Sequence, residues 1–143
     1  LPVPLIDEAY VRQVGNLPDK VETATVTPHL SAAALRLKRW VGATAYGDAA
    51  SASPSDLDRA VALKLAEARL ALAEMFASLA GNYQGMGFVG GASHTEGQSS
   101  YLTPAQVETL AAQHLAAAER LAQPYLQNPA ALAGVVKDLD GDA

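Results

Sequence analysis

The chain has 143 residues, half of them hydrophobic, and it contains no cysteine, so disulfides, thiolate metal sites and thiol nucleophiles are excluded. This length suits a single domain that can bury a hydrophobic core without cross-links. The formal net charge of −5 argues against a protein that binds nucleic acid by neutralising phosphates, and no apolar run approaches the roughly 18 residues of a membrane-spanning helix.

The N-terminal part of the chain predicts a short helix and then a turn. Residues 6–14 repeat apolar side chains every four positions and carry two carboxylates in the first turn, where they suit the positive end of the helix dipole. Gly15-Asn16 is a typical stop signal. A proline marks a turn at residues 17–20, and the weak alternation of residues 21–27 predicts either a short strand or an ordered connector.

Thr27-Pro28 predicts the start of a second helix, because Thr is a favourable N-cap and Pro is favoured at the first helical position. Apolar residues share one face of this helix up to Gly42, where we expect it to end. The small residues of 43–56 predict a loop. It closes with side chains that can cap the next helix: Ser53, Ser55 or Asp56.

The segment 56–82 gives the strongest helix prediction. Its apolar residues repeat at a 4-3-4-3-4 spacing, and a second apolar stripe recurs every seven residues, so we expect a central helix that is covered on two sides. Lys64, Glu67 and Glu74 are left as one narrow polar strip. We expect both glutamates to be solvated there rather than paired for acid–base catalysis.

A second Thr-Pro pair, Thr103-Pro104, predicts the start of another long helix, which Pro124 should kink or end. A short terminal helix can follow at 129–139. The predicted fold class is therefore all-α, a bundle of about four main helices with a long Gly-rich inserted arm between the two longest.

The inserted segment, GNYQGMGFVGGASHTEGQSSYLTP at residues 81–104, contains G-x-G-x-x-G as a string. The string follows a predicted helix rather than a strand and has no Lys or Arg, which argues against a phosphate loop. A plain linker explains the Gly, Ser and Gln, but not the large apolar residues. Loops of this length are usually functional or disordered. We interpret the segment as an arm that holds another subunit, with a self-packed flap and a disordered loop as alternatives.

The arm at 83–101 supplies most of the predicted site residues. Its predicted partner contacts are large apolar side chains: Tyr83, Met86, Phe88, Val89 and Tyr101. Its predicted hinges are glycines, which permit unusual backbone angles: Gly85, Gly87, Gly90 and Gly91. The sequence RLKRW supplies a second candidate surface for an acidic partner: Arg36, Lys38 and Arg39. A solvated face is the competing interpretation of these three cations.

Candidate catalytic and metal-binding groups are scattered along the chain. His29, His94 and His114 form no paired ligand motif, and a stable metal site needs three or four converging ligands, so we expect no metal and no cofactor. The apolar helix face around His114 is typical of a core or interface histidine. No G-x-S-x-G elbow is present. We therefore expect no catalytic residues and no enzymatic activity.

The order of segments is informative as a whole. A Thr-Pro helix (TPHLSAAALRLKRWVG), a small loop, a long helix (AEARLALAEMFASL), a variable arm and a second long helix (LTPAQVETLAAQHLAAAERLAQPYL) follow one another over roughly residues 27–126. This order resembles the head–tail connector, or adaptor, proteins of double-stranded-DNA tailed phages. The resemblance implies a small all-α protein without catalytic residues, present in about twelve copies as a ring beneath the portal.

The resemblance also implies partners and a location. Loops and tails of such proteins reach neighbouring copies, the portal protein and a downstream neck or tail protein. DNA only passes through the lumen, without specific binding, and no membrane is involved. The expected location is the neck of the virion, after assembly in the bacterial host cytoplasm.

The leading hypothesis is therefore a structural virion protein, a single connector domain at 1–143 that acts as a cyclic homo-oligomer. Two alternatives remain open. One is a non-enzymatic helical protein-interaction module of a bacterial cell. The other is a small enzyme whose site is assembled between subunits, with His114 or His94 as its base.

Overall fold

The computed structural model describes residues 2–81 and 103–127, and their regular elements are all helical, which confirms the predicted all-α class over this part of the chain. In chain order these are α1 (Glu8–Gly15), α2 (Thr23–Val26), α3 (Pro28–Val41), α4 (Ala43–Ala50), α5 (Leu57–Gly81), α6 (Pro104–Ala122) and a 3₁₀ turn at Gln123–Tyr125. The predicted arm at 83–101 and the predicted helix at 129–139 lie outside the described residues. None of the described helices combines the length and the apolar character needed to cross a membrane.

Helix α5 is the centre of the fold, as its two apolar stripes predict. It packs against α6 along much of its length and also contacts α1, α2, α3 and α4. A helix covered on several sides needs apolar residues on each of them, and the middle of α5 supplies these beside its narrow polar strip. Its fully buried side chains include Leu63, Leu70, Leu72 and Met75. The first turns are different, because Leu57 and Val61 remain exposed, so the predicted covering is wrong there.

Helix α6 runs back along α5. The backbone N–H of Gln127, just beyond α6, donates to the carbonyl of Trp40 at the end of α3 (2.9 Å). After α3 the chain continues into α4, where the Tyr46 hydroxyl is hydrogen-bonded to Glu67 of α5. The end of α6 therefore lies beside the first half of α5, and its start lies beside the last half. Alanines at the contacts allow the helix axes to approach closely, among them Ala33, Ala34, Ala66, Ala71 and Ala118.

The predicted helix ends are largely confirmed. Helix α1 begins at Asp7, whose side chain accepts from the Tyr10 N–H, and it ends at Asn16 with left-handed backbone angles. Helix α6 begins with a capping box, in which Thr103 and Gln106 each accept the other's backbone N–H. It ends at Ala122, before Pro124, as predicted. Of the three residues predicted as caps for α5, Asp56 accepts from the Arg59 N–H at 3.0 Å.

Residues 21–27 are not a strand. The Val21 N–H closes a turn onto the Pro18 carbonyl (3.1 Å), and α2 follows at once. The guanidinium of Arg12 donates to the carbonyls of Pro18 and Val21, which holds the turn. Thr27 has helical backbone angles and its hydroxyl donates to the Thr23 carbonyl (3.0 Å), so it joins α2 to α3 and does not cap α3 with its side chain.

Residues 43–50 form α4, where the sequence predicts a loop. Gly42, with φ of 89°, redirects the chain between α3 and α4. Tyr46 and Ala49, three residues apart, share the buried side of α4. This burial and the high helix propensity of alanine outweigh the loop signal of a small-residue sequence. Only residues 51–56 remain outside a helix here.

Candidate functional site

Glu67 is fully buried, which corrects the prediction that it lies on an exposed polar strip. Its neighbours in the strip, Lys64 and Glu74, are half-buried. Around α5, position 67 shares a side with Ala60 and Leu63, both of which are buried. The N-terminal segment and α4 cover this side. The sequence did not indicate such a cover, because it predicts a loop in place of α4.

Two groups contact the Glu67 carboxylate, and a third is bonded to one of them. Its Oε2 accepts the backbone N–H of Leu5 at 2.6 Å, and its Oε1 lies 2.6 Å from the Tyr46 hydroxyl. The same hydroxyl lies 3.0 Å from the carbonyl oxygen of Val3. The cluster therefore ties the N-terminal segment, α4 and α5 together in the interior of the protein.

Burial raises the pKa of Glu67 to about 6, although hydrogen bonds from Tyr46 and from the backbone of Leu5 and Ile6 act in the opposite direction. Burial, together with the Glu67 carboxylate, also raises the pKa of the Tyr46 hydroxyl. The cluster thus gains or loses one proton near pH 6, and this proton is carried by Glu67. Both oxygens of the carboxylate are hydrogen-bonded to the chain itself, so the cluster is a structural contact.

His114 forms a second polar contact within the core, between α6 and α5. Its ring stacks on Phe76, and its Nδ1 lies 3.0 Å from a terminal nitrogen of Arg69. A guanidinium can only donate, so Nδ1 accepts and the ring is neutral with its proton on Nε2. Burial and the nearby Arg69 charge lower the pKa of His114 to about 4. The ring therefore stays neutral at pH 7 and packs as a core group.

The three cations predicted as a second surface are not equivalent. The Arg36 guanidinium lies 5.5 Å from the ring centroid of Trp40, a cation–π distance. Arg36 also borders a shallow groove of about 260 Å³ between α3, α5 and α6, opposite alanines and Glu74. Around α3, Arg39 is about 60° from Arg36 and Lys38 about 160°. Binding of an acidic partner by these residues stays a prediction.

The remaining predicted site residues lie outside the described part of the chain. They are the arm contacts and hinges: Tyr83, Gly85, Met86, Gly87, Phe88, Val89, Gly90, Gly91 and Tyr101. Their roles stay predictions. Residues 2–81 and 103–127 form no group of three or more His, Asp or Glu side chains that could hold a metal ion.

The sequence pattern does not reveal that the start of α5 carries an exposed apolar surface. Leu57 is 66% exposed and Val61, one turn later, is 51% exposed, although the spacing assigned Val61 to a covered stripe. The missing signal is the length of α6, which is 19 residues against 25 for α5. A shorter partner cannot cover the whole of a longer helix.

The chain matches none of the protein-family models, curated proteins or solved structures with which it was compared. The resemblance to phage connectors therefore remains one of helix order, size and composition.

Proposed function

We propose that the protein is a structural subunit of a multi-copy assembly: a head–tail connector of a tailed phage that forms a cyclic homo-oligomer between the portal protein and a downstream neck or tail protein. In this proposal about four main helices form the body, and the Gly-rich arm at 83–101 reaches a neighbour. The observation that carries it is the exposed apolar surface at the start of α5, formed by Leu57 and Val61.

This surface, the α5 apolar surface, interrupts a helix that is otherwise the most covered in the fold. Fully burying a Leu or Val side chain contributes roughly 1.5–3 kcal/mol, so covering both would help to hold a partner. An interface between copies would remove both side chains from water.

The arm and the α5 apolar surface lie at opposite ends of the long helix. The arm leaves after Gly81, whereas Val61 lies 20 residues earlier, about 30 Å along the axis. Two different surfaces at two ends suit a head-to-tail contact, in which one subunit's arm meets the next subunit's surface. Head-to-tail contacts close into rings when the rotation per subunit allows it. The negative net charge suits a conduit through which DNA slides without adhering.

The proposal is tested by measuring the mass of the assembly. We expect the full chain, alone or mixed with the portal protein, to give a discrete multi-copy species by native mass spectrometry and a ring by electron microscopy. Val61→Asp should shift the distribution toward monomer by placing a charge in the interface. Gln113→Asp, a charge at an exposed position of α6, is the matched control and should leave the assembly unchanged.

The arm is tested separately by deleting residues 84–98. We expect the helical content to be retained and the assembly to be lost. A shortened chain that folds and still assembles fully would refute the role of the arm. A chain that stays monomeric with every portal and tail component, but binds one bacterial protein, would instead favour the helical interaction module.

A further inference from the structure

The last turns of α3 carry positive charge on the side that the core leaves uncovered. The sequence of this helix, PHLSAAALRLKRWV, contains three Lys or Arg residues and no carboxylate. Arg36 and Lys38 are half-buried and lie about 100° to either side of the buried Leu37 around the helix. Arg39 is exposed and lies about 160° from Leu37. These three cations are called the α3 basic surface here.

The α3 basic surface is not neutralised by the described part of the chain. Every ion pair within residues 2–81 and 103–127 involves another cation. Arg36 borders the groove opposite Glu74 without pairing with it. The helix dipole favours cations in the last turn, which explains the position of Lys38 and Arg39 but leaves their side-chain donors available to an acidic group.

The described part of the chain ends beside this surface. The backbone N–H of Gln127 donates to the carbonyl of Trp40 (2.9 Å), and the Gln127 side chain lies against Gly42 at the end of α3. Trp40 directly follows Arg39 in the sequence, and Arg36 is one turn earlier, about 6 Å along the helix axis. The residues after Gln127 therefore start within about one helical turn of the three cations.

Residues 128–143, called the acidic segment here, lie outside the described residues and have the sequence NPAALAGVVKDLDGDA. Their charged residues are three aspartates and one lysine: Asp138, Asp140, Asp142 and Lys137. Asp138 follows Gln127 by 11 residues, which reach about 16 Å as a helix and at most roughly 36 Å when extended, enough to reach every cation of the surface. The other segment outside the description, residues 82–102, has a single carboxylate, Glu96.

We propose that the acidic segment folds back onto the α3 basic surface of the same chain, where its aspartates pair with Arg36, Lys38 and Arg39. This contact is independent of the function proposed above. One exposed ion pair is weak, but several charges of each sign that meet at one surface act together. An acidic partner of the α3 basic surface would have to displace the segment first.

The short connection from Gln127 favours a contact within one chain. A tether of this kind keeps the local concentration of the segment on the order of millimolar. At lower protein concentrations the α3 basic surface therefore meets its own acidic segment far more often than that of a second copy.

The chain offers a fluorescent reporter for this contact. Trp40 is the only tryptophan and lies against Arg36. Because the chain has no cysteine, Gly141→Cys creates a single labelling site between Asp140 and Asp142. A nitroxide attached at position 141 of the full chain quenches tryptophan fluorescence at short range, and its chemically reduced form gives the unquenched reference.

We expect the quenching of Trp40 to be roughly twofold or more stronger at about 20 mM salt than at about 1 M, because the Debye length falls from roughly 20 Å to 3 Å. Replacing the three aspartates of the segment by Asn should lower the quenching at low salt to the level seen at high salt. The matched control makes the same change in net charge at three exposed carboxylates elsewhere and should quench like the wild type: Asp19→Asn, Glu22→Gln and Asp58→Asn.

Lys38→Gln combined with Arg39→Gln tests the other side of the contact and should also remove the salt-dependent quenching. Arg36 is left in place, because its guanidinium lies 5.5 Å from the Trp40 ring centroid and its loss would change the fluorescence directly. An excess of unlabelled chain should leave the quenching of the labelled chain unchanged.

Three results would overturn the proposal. Quenching that does not depend on salt, or that is as strong in the Asn variant as in the wild type, would show that the aspartates do not hold the segment on α3. Quenching that falls when unlabelled chain is added would assign the contact to a neighbouring copy.

Discussion

The ring of His114 stacks on the ring of Phe76, with centroids 5.6 Å apart and planes inclined by only 5°. The contact joins the middle of α6 to α5 and places a titratable ring in the interior between the two helices. Because Arg69 donates to Nδ1 on one edge of the same ring, the histidine is fixed in one tautomer and packs like an aromatic core residue.

We predict that His114 makes the protein less stable in acid. Its pKa is about 4 in the folded state and 6.5 when unfolded, so only the unfolded chain takes up the proton between these values. The contribution of His114 to the free energy of unfolding is complete above pH 6.5 and falls by roughly 3 kcal/mol as the pH drops toward 4. Urea unfolding at pH 7.5 and 4.5 measures this loss. His114→Phe should show a smaller loss, and an equal loss in both proteins would contradict the prediction.

His29→Asn is the matched control for that measurement. His29 is half-buried and lies 3.9 Å from Glu74, whose charge opposes the lowering of its pKa by burial. We therefore expect this variant to remove less of the acid sensitivity than His114→Phe does.

Glu67→Gln should raise the free energy of unfolding at pH 7.5. The pKa of Glu67 is raised on folding, so its contribution is full below 4.5 and lost as the pH rises through 6. The uncharged amide avoids that loss, which is about 2 kcal/mol. At pH 4, where Glu67 is protonated, the substitution should leave the free energy of unfolding unchanged. Glu74→Gln, on the same helix and half-buried, should change stability by less than about 0.5 kcal/mol. A Glu67→Gln protein that is less stable than wild type at pH 7.5 would be inconsistent with this account.

Two leucines of α5 should respond very differently to truncation. Leu70 is fully buried, and Leu70→Ala should lower the free energy of unfolding by about 2–5 kcal/mol through lost burial and a new cavity. Leu57 is 66% exposed, and Leu57→Ala should change it by less than about 0.5 kcal/mol at concentrations where the chain is monomeric. Chemical denaturation measures both values, and similar losses would mean that the assigned burial along α5 is wrong.

Two glycines, one just before α4 and one inside it, give an opposed pair of predictions. Gly42 has φ of 89°, and an added Cβ would lie 2.7 Å from the side chain of Gln127, so Gly42→Ala should destabilise by about 1–2 kcal/mol. Gly47 lies inside α4 with open space around it, so Gly47→Ala should stabilise by up to about 1 kcal/mol. Thermal unfolding separates the two, and a rise in Tm for Gly42→Ala would contradict the described turn.

The sequence predicts the parts of the fold that depend on local signals. Helices α5 and α6 repeat their apolar residues over many turns, and the cap at Thr103 and the stop at Asn16 act within a few residues. The sequence does not predict α4, because this helix depends on the burial of Tyr46, which the small residues around it do not indicate.

The polar cluster depends on contacts that are distant in sequence. Leu5 and Glu67 are 62 residues apart, so the spacing of charges along α5 could not show which side the N-terminal segment would cover. Position 67 does share a side with the apolar positions 60 and 63, and that pattern is the one local sign of burial.

The antiparallel course of α5 and α6 places the two attachment points of the inserted segment, Gly81 and Thr103, at the same end of the helical pair. A connection whose ends are already held close together pays little for extra length, since doubling a loop adds only about 0.6 kcal/mol of closure entropy. Insertions and deletions at this point are therefore nearly neutral for folding. A change in the length of this segment therefore tests its proposed contact with a neighbour without unfolding the helices.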